Sequence, residues 1–184
     1  MNSTPPAFAG RDPVALRRHL SRYWKMEAGN VLLVPIIVWL MVWSAGDAPD
    51  AAFWLGAVAC SWLLIVGTAA WLLVLARMDG KATLAEGLVA FCAHAEIPSL
   101  LLLIVATGAA AQSVIAAGWP PRTIAAAGLT LLCWLEYVNY YHWQLQNFDS
   151  AIDVKRLMAG RGLRRAHMGR AVRAWRQARG RVKR

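Results

Sequence analysis

The stretch Trp134-Leu-Glu-Tyr-Val-Asn-Tyr-Tyr-His-Trp-Gln-Leu-Gln-Asn-Phe-Asp149 decides how the chain must be arranged. It continues an apolar run that begins at Thr123, and it brings an acid, amides, phenols and an imidazole close together. A helix that rises about 1.5 Å per residue from Thr123 places Glu136 roughly 20 Å into a hydrocarbon core about 30 Å thick. A carboxyl at that depth is costly unless it is paired, hydrogen-bonded or protonated. We therefore look for function first around Glu136.

The composition is typical of a membrane protein. Of the 184 residues, 58% are hydrophobic and only 16% are charged, and the mean hydropathy is +0.40. This length suits one compact bundle with a short tail, without a separate soluble catalytic domain. Cys60, Cys92 and Cys133 lie inside apolar runs without CxxC spacing, so we interpret them as small packing residues. The net charge of +10 belongs mainly to a tail, because more than half of the twenty Lys and Arg residues follow Asp153.

The apolar runs predict an all-α fold, a polytopic membrane protein with a bundle of four transmembrane helices. We predict an arm and an interfacial amphipathic helix at 1–27, a bundle at 28–148 with spans at about 28–46, 53–76, 97–117 and 123–147, and a basic helical tail at 149–184. Asp12-Pro13 is typical of a helix start, and the amphipathic helix that follows is expected to end near Lys25.

The third apolar run is longer than one membrane span, and the fourth continues into the polar stretch. The run 82–117 would make a helix of about 54 Å, much longer than the core is thick. We therefore predict a surface-lying or steep helix at 83–96 and a true span that begins near Pro98. The fourth span is expected to pass through the polar stretch and to continue as a helix to about Met158.

Positive charge predicts the orientation. Lys and Arg concentrate in the N-terminal segment, in the gap that holds Arg77 and Lys81, and in the tail, whereas the other two loops contain only Arg122. The positive-inside rule then predicts a multi-pass protein of the inner (cytoplasmic) membrane with both termini in the cytoplasm.

Depth counting predicts a polar layer within the bundle. If spans three and four form a hairpin, residues at equal depth have numbers that sum to roughly 240. Glu96 is then level with Gln144, and the same counting brings Asn30 and Thr68 near Glu136. The candidate ligand or proton site consists of Glu136, Asn139, Tyr140, His142, Glu96, His94 and Gln146.

We predict no catalytic residue, no metal site and no cofactor. His94 and Glu96 are two residues apart and point to nearly opposite sides of a helix, and the chain has no HExxH, GxSxG, Walker or CxxCH motif. A haem between His94 and His142 is an alternative, since helical bundles use paired histidines. The hairpin count places His142 a turn away from the level of His94, which disfavours that arrangement.

The basic tail has two competing uses. Attraction to anionic lipid contributes about 1 kcal/mol per cation near the surface, and nucleic-acid binding would use the same charge. No nucleic-acid-binding motif is present, so we favour lipid. The candidate head-group ligands are Arg164, Arg165, Arg170, Arg173 and Arg176. An apolar edge accompanies them and suits a membrane surface, and it consists of Leu163, Met168, Val172 and Trp175.

Three hypotheses of function follow. The first is a non-enzymatic membrane subunit or scaffold, a homo-oligomer or part of a larger complex, which binds partners or anionic lipid. The second is a proton- or ion-conducting transporter or channel in which Glu136 changes protonation. The third is a haem- or quinone-binding subunit. The surroundings of Glu136 discriminate between the first two, and we expect a cavity that reaches Tyr140, His142 and Glu96.

Overall fold

The computed structural model describes residues 13–145 and 163–182, and these residues form five α-helices and no strand. The helices are α1 (Pro13–Ser44), α2 (Ala51–Met78), α3 (Ala82–Ala117), α4 (Pro121–Tyr141) and α5 (His167–Val182). Within the described residues, α1, α2 and α3 are long and apolar enough to cross a membrane. The chain is therefore an all-helical, multi-pass membrane protein.

Helix α2 is the centre of the bundle. It packs against α1, α3 and α4, and half of its residues are buried. Small residues permit this close packing: a Cβ atom added at Gly56 would lie 3.2 Å from the Cβ of Leu129 on α4. Helices α3 and α4 form the expected hairpin, because Trp134 Nε1 donates to Thr107 Oγ1 over 2.9 Å, a pair that fits the depth count.

The end of the bundle that holds the α1–α2 and α3–α4 turns, here the turn end, is fixed by polar contacts. Arg122 Nη1 lies 2.6 Å from Asp47 Oδ1, and the Arg122 backbone N–H donates to Asp47 Oδ2 over 3.0 Å. Asp50 caps α2 through the N–H of Phe53 and also accepts from Ser113, each over 2.9 Å. These contacts join both turns to the bundle.

The other end, here the basic end, holds the start of α1, the α2–α3 turn and α5. Arg17 donates twice to Asp79, over 2.9 and 3.2 Å, which ties α1 to that turn. Lys81 Nζ lies 3.8 Å from the same carboxylate.

Two predicted helix breaks are absent. Helix α1 runs unbroken from Pro13 to Ser44, so an interfacial helix separate from the first span at 28–46 is not confirmed. Met26, Glu27 and Ala28 join its two parts, and they include good helix formers and no breaker. Helix α3 is likewise continuous, so 83–96 and the predicted span from Pro98 belong to one helix, and where that helix enters the hydrocarbon core stays a prediction. A proline removes one backbone hydrogen bond, and packing against α2 and α5 holds the helix across it.

Helix α4 ends earlier than predicted. Its last residue is Tyr141, so a fourth span at 123–147 is not confirmed. The predicted continuation from 146 to Met158 lies outside the described residues. The Asn139 side chain accepts from the N–H of Leu145 over 2.9 Å, which stabilises a turn in place of a further helical turn. The predicted tail from 149 to 162 lies outside the described residues.

Candidate functional site

A cavity of about 260 Å³ lies between α1, α2 and α4. It has room for several water-sized groups. Its polar lining comes from all three helices and includes two acids, Glu27 on α1 and Glu136 on α4. The other chemically active lining residues are Tyr23, Asn30, Cys60 and Cys133. A carboxyl from each of two helices therefore faces one partly open cavity.

Tyr140 connects the two acids. Its hydroxyl donates to Glu27 Oε1 and also interacts with the carboxyl of Glu136, which lies one turn earlier on α4. Tyr140 is buried, so water does not compete freely for this hydroxyl. We call Glu27, Tyr140 and Glu136 the carboxyl triad.

A glycine makes the triad possible. Gly67 of α2 lies beside the Tyr140 hydroxyl, and a Cβ atom added at this position would collide with that hydroxyl and with Glu27 Oε1. Any larger residue would push the two groups away from α2. The absence of a side chain at Gly67 therefore sets where α1 and α4 meet.

Glu136 is incompletely satisfied. Asn139 and Tyr140 interact with its carboxyl, yet its Oε2 atom is buried and has no hydrogen-bond partner among the described residues. A buried carboxyl oxygen without a donor is destabilising. Glu27 lies close enough to interact electrostatically with Glu136, and two like charges in one cavity repel. A proton or a small cation shared by the pair would remove both costs.

The structure brings some of the predicted site residues together. Glu136, Asn139 and Tyr140 meet on α4, and Asn30 lines the cavity as expected. Thr68, an expected partner of Glu136, instead donates to the carbonyl of Leu64 over 2.8 Å. Gln146 lies outside the described residues.

The remaining predicted residues lie elsewhere. Contrary to expectation, the lining of the cavity includes none of Tyr140, His142 and Glu96. Glu96 forms an ion pair with Arg176 of α5 over 2.8 Å. His94 packs edge-on against Trp175, with ring centroids 5.7 Å apart, and exposed His142 packs near Tyr137. The polar residues thus divide into two groups, one around the cavity and one between α3 and α5 with His142 nearby. Among the described residues, no cluster of three or more His, Cys, Asp or Glu side chains could hold a metal ion.

The five arginines predicted as lipid ligands differ in how exposed they are to a lipid head group. Arg176 also donates to the backbone carbonyl of Ala93 over 2.8 Å, and Gly169 packs directly on the carbonyl group of Tyr141. The apolar edge of α5 faces the bundle, because Met168 and Val172 are buried. Arg164 and Arg173 are half-buried, while Arg165 and Arg170 are exposed. Helix α5 is therefore docked onto α3 and α4.

Glu27 is the site residue that the sequence analysis missed. It was assigned to the arm before the first span, and only the continuity of α1 brings it into the bundle. A signal was present, because Tyr23 and Asn30 lie four residues before and three after it, on one helical face.

Comparison of the chain with protein-family models, curated proteins and solved structures gave no match.

Proposed function

We propose that the protein is a proton- or cation-conducting membrane protein, a transporter or channel, that binds its ion at the carboxyl triad. One observation carries this proposal: carboxyls from two different helices line one cavity, and both interact with the hydroxyl of buried Tyr140. Ionisable groups within an apolar bundle are expensive and commonly mark ion pathways. A purely structural acid would need one partner, whereas this arrangement leaves Glu136 Oε2 unsatisfied.

Each residue of the triad has a role in this proposal. Glu27 and Glu136 hold the proton or cation, because a single positive charge relieves the repulsion between them. Tyr140 passes a proton from one carboxyl to the other through its hydroxyl. Asn30 and Asn139 provide neutral polar contacts that lower the cost of the charged state.

We assign access to the basic end, which faces the cytoplasm in this proposal. Glu27 lies about 26 Å along α1 from Ser44, so it lies towards the basic end of a core about 30 Å thick. Tyr23, Met26 and Trp71 line the cavity on that side. Pro35 interrupts the hydrogen bonding of α1 above the cavity, so the first half of α1 can tilt relative to α2.

Flux through reconstituted protein tests the proposal. The full chain in liposomes, with a pH-sensitive dye inside, should transport protons or exchange them for Na⁺ or K⁺ under an imposed gradient. Glu27→Gln and Glu136→Gln should each reduce the rate at least about tenfold, because amides keep the shape and lose the titratable group. Glu86→Gln, which neutralises an exposed acid outside the cavity, is the matched control and should retain the rate. Wild-type protein without flux, or variants with unchanged flux, would refute the proposal.

A membrane subunit or scaffold is the second candidate. Gly108 on α3 and Gly128 on α4 face outwards, and a Cβ atom at either position would meet nothing within 4 Å. Exposed small residues permit close approach of another helix within the membrane. Cysteines introduced at these positions should form cross-linked dimers if the protein self-associates there, whereas Met41→Cys on the exposed face of α1 should not. A protein that remains monomeric in the bilayer would contradict homo-oligomerisation.

A further inference from the structure

An open groove of about 650 Å³ lies at the basic end, between the first turns of α1 and the α2–α3 turn. It is separate from the carboxyl triad, since no triad residue lines it. Its lining residues are Val14, Arg17, Arg18, Ser21, Arg22, Lys25, Met78 and Asp79. Four cations thus converge on a space that contains one acid.

That acid is already neutralised. Both oxygens of Asp79 accept from Arg17, and Lys81 approaches the same carboxylate. Arg18 and Arg22 are exposed and form no ion pair or hydrogen bond with any described residue. They lie one turn apart on the same face of α1, and like charges at this spacing repel. An anion between them would convert that repulsion into attraction.

We propose that this groove binds the phosphate of an anionic phospholipid head group. Two guanidinium groups with planar, forked donors match the oxygens of a phosphate ester. Ser21 adds a hydroxyl between them. Val14 and Met78 are 63% and 41% exposed and add apolar surface to the lining of the groove. This combination of cations and apolar edge fits a lipid better than a free anion.

The depth of the groove selects the lipid as the source of the phosphate. The apolar run of α1 begins at Ala28. Lys25 and Arg22 precede it and lie about 5 and 9 Å outside it along the helix axis. A head-group layer about 5–7 Å thick lies beyond the hydrocarbon core, so Lys25 lies within it. Arg22 and Arg18, the latter about 15 Å from Ala28, lie at the outer edge of this layer. Trp24 is half-buried at the same level, as is typical of interfacial tryptophans. The Lys25 amine lies 5.9 Å from the centroid of its ring.

Native mass spectrometry of the full chain in detergent tests this site. Phosphatidylglycerol should bind the wild-type protein more tightly than phosphatidylcholine does. The double variant Arg18→Gln/Arg22→Gln should lose about tenfold or more of the affinity for phosphatidylglycerol. Arg179→Gln/Arg181→Gln removes the same charge from exposed positions of α5, outside the groove, and should cost less than about threefold.

Three results would overturn the proposal. Equal losses in the two double variants would mean diffuse attraction to the basic surface. Competition by inorganic phosphate or glycerol phosphate at concentrations similar to those of the lipid would mean a soluble ligand.

The third result comes from a second double variant. Arg18→Lys/Arg22→Lys keeps the charge and loses the forked donors, so it tests the site even if the glutamine variant does not fold. This variant should bind several-fold more weakly, and wild-type affinity would exclude the guanidinium–phosphate geometry.

Discussion

At the scale of single residues, Gly67 provides the sharpest test of the packing around the triad. Gly67→Ala would place a methyl group on the Tyr140 hydroxyl and on Glu27, so we expect a loss of about 1–3 kcal/mol in the free energy of unfolding. Denaturant-induced unfolding in detergent measures it. Gly29→Ala is the matched control on α1, where an added Cβ meets nothing within 4 Å, and alanine should be neutral or stabilising by up to about 1 kcal/mol. Equal stability of the two variants would contradict the close approach of α1 and α4 at Gly67.

Asp47 should make stability depend on pH. The Arg122 backbone N–H, together with the Arg122 guanidinium and the N–H of Ala48, lowers the pKa of Asp47 below its ordinary value. A lowered folded-state pKa stabilises the protein above the ordinary carboxyl range, near pH 4, and this contribution disappears as pH falls through the folded-state value. Asp47→Asn should therefore lower the melting temperature at pH 7 and make little difference in strong acid. A difference of equal size at both pH values would show that Asp47 acts through shape and not through charge.

The sequence predicted the half of the site that lies on one helix. Glu136 and Tyr140 are one turn apart, so their proximity follows from helical periodicity alone. The contribution of Glu27 depends on the rotation and vertical offset of α1 against α2, and these are set by side-chain packing around Gly67. Such contacts between helices leave no periodic signal in one sequence. For the same reason, the sequence could not predict that Arg176 pairs with Glu96.

At the scale of helices, the two unobserved boundaries have one cause. The boundary expected in α3 rests on the thickness of a bilayer and the one expected in α1 on the end of an amphipathic pattern, whereas a helix ends where its own residues or its packing end it. Met26, Glu27 and Ala28 favour continuation, and Pro98 is accommodated within α3. Helix α4, by contrast, ends where Asn139 bonds to the backbone of the following turn.

The docking of α5 is testable through Arg176. Arg176→Ala removes an ion pair with Glu96 and a hydrogen bond to the Ala93 carbonyl, so we expect α5 to detach more often. A loss of about 1 kcal/mol would raise amide exchange in α5 roughly fivefold in mass-spectrometric measurements. Arg181→Ala, an equal change at an exposed position of the same helix, should leave exchange unchanged. Unchanged exchange in both variants would show that Met168 and Val172 alone hold α5.

At the scale of the whole molecule, the two ends of the bundle should face different compartments. Helix α3 is about 54 Å long, so it extends beyond a core about 30 Å thick. Thr83→Cys, at the exposed start of α3, should react with an impermeant maleimide from the side of the basic end, and Trp119→Cys from the other side. The native cysteines are buried and give little background. Labelling of both positions from one side would contradict the bundle topology.

The sequence predicted the fold class because the mean hydropathy of a whole segment, not any single contact, decides whether the segment lies in lipid. Long apolar runs must be helical in lipid, since no other open structure satisfies the backbone there. The all-helical, multi-pass architecture is confirmed on this basis. Two points stay predictions: which end of the bundle faces the cytoplasm, and whether α4 crosses the membrane. Both follow from the positive-inside rule together with the position of the α3–α4 turn at the turn end.

The ion pair between Arg176 and Glu96 has a consequence for biosynthesis. Arg176 also binds the carbonyl of Ala93, which precedes it by 83 residues in the sequence. Translation therefore delivers Glu96 to the insertion machinery long before Arg176 is synthesised. During that interval the nascent α3 carries the Glu96 carboxyl without the ion pair that compensates it in the folded protein. Completion of α5 then closes the bundle. A frameshift anywhere after α4 should therefore yield chains that insert and are afterwards removed by membrane quality-control proteases.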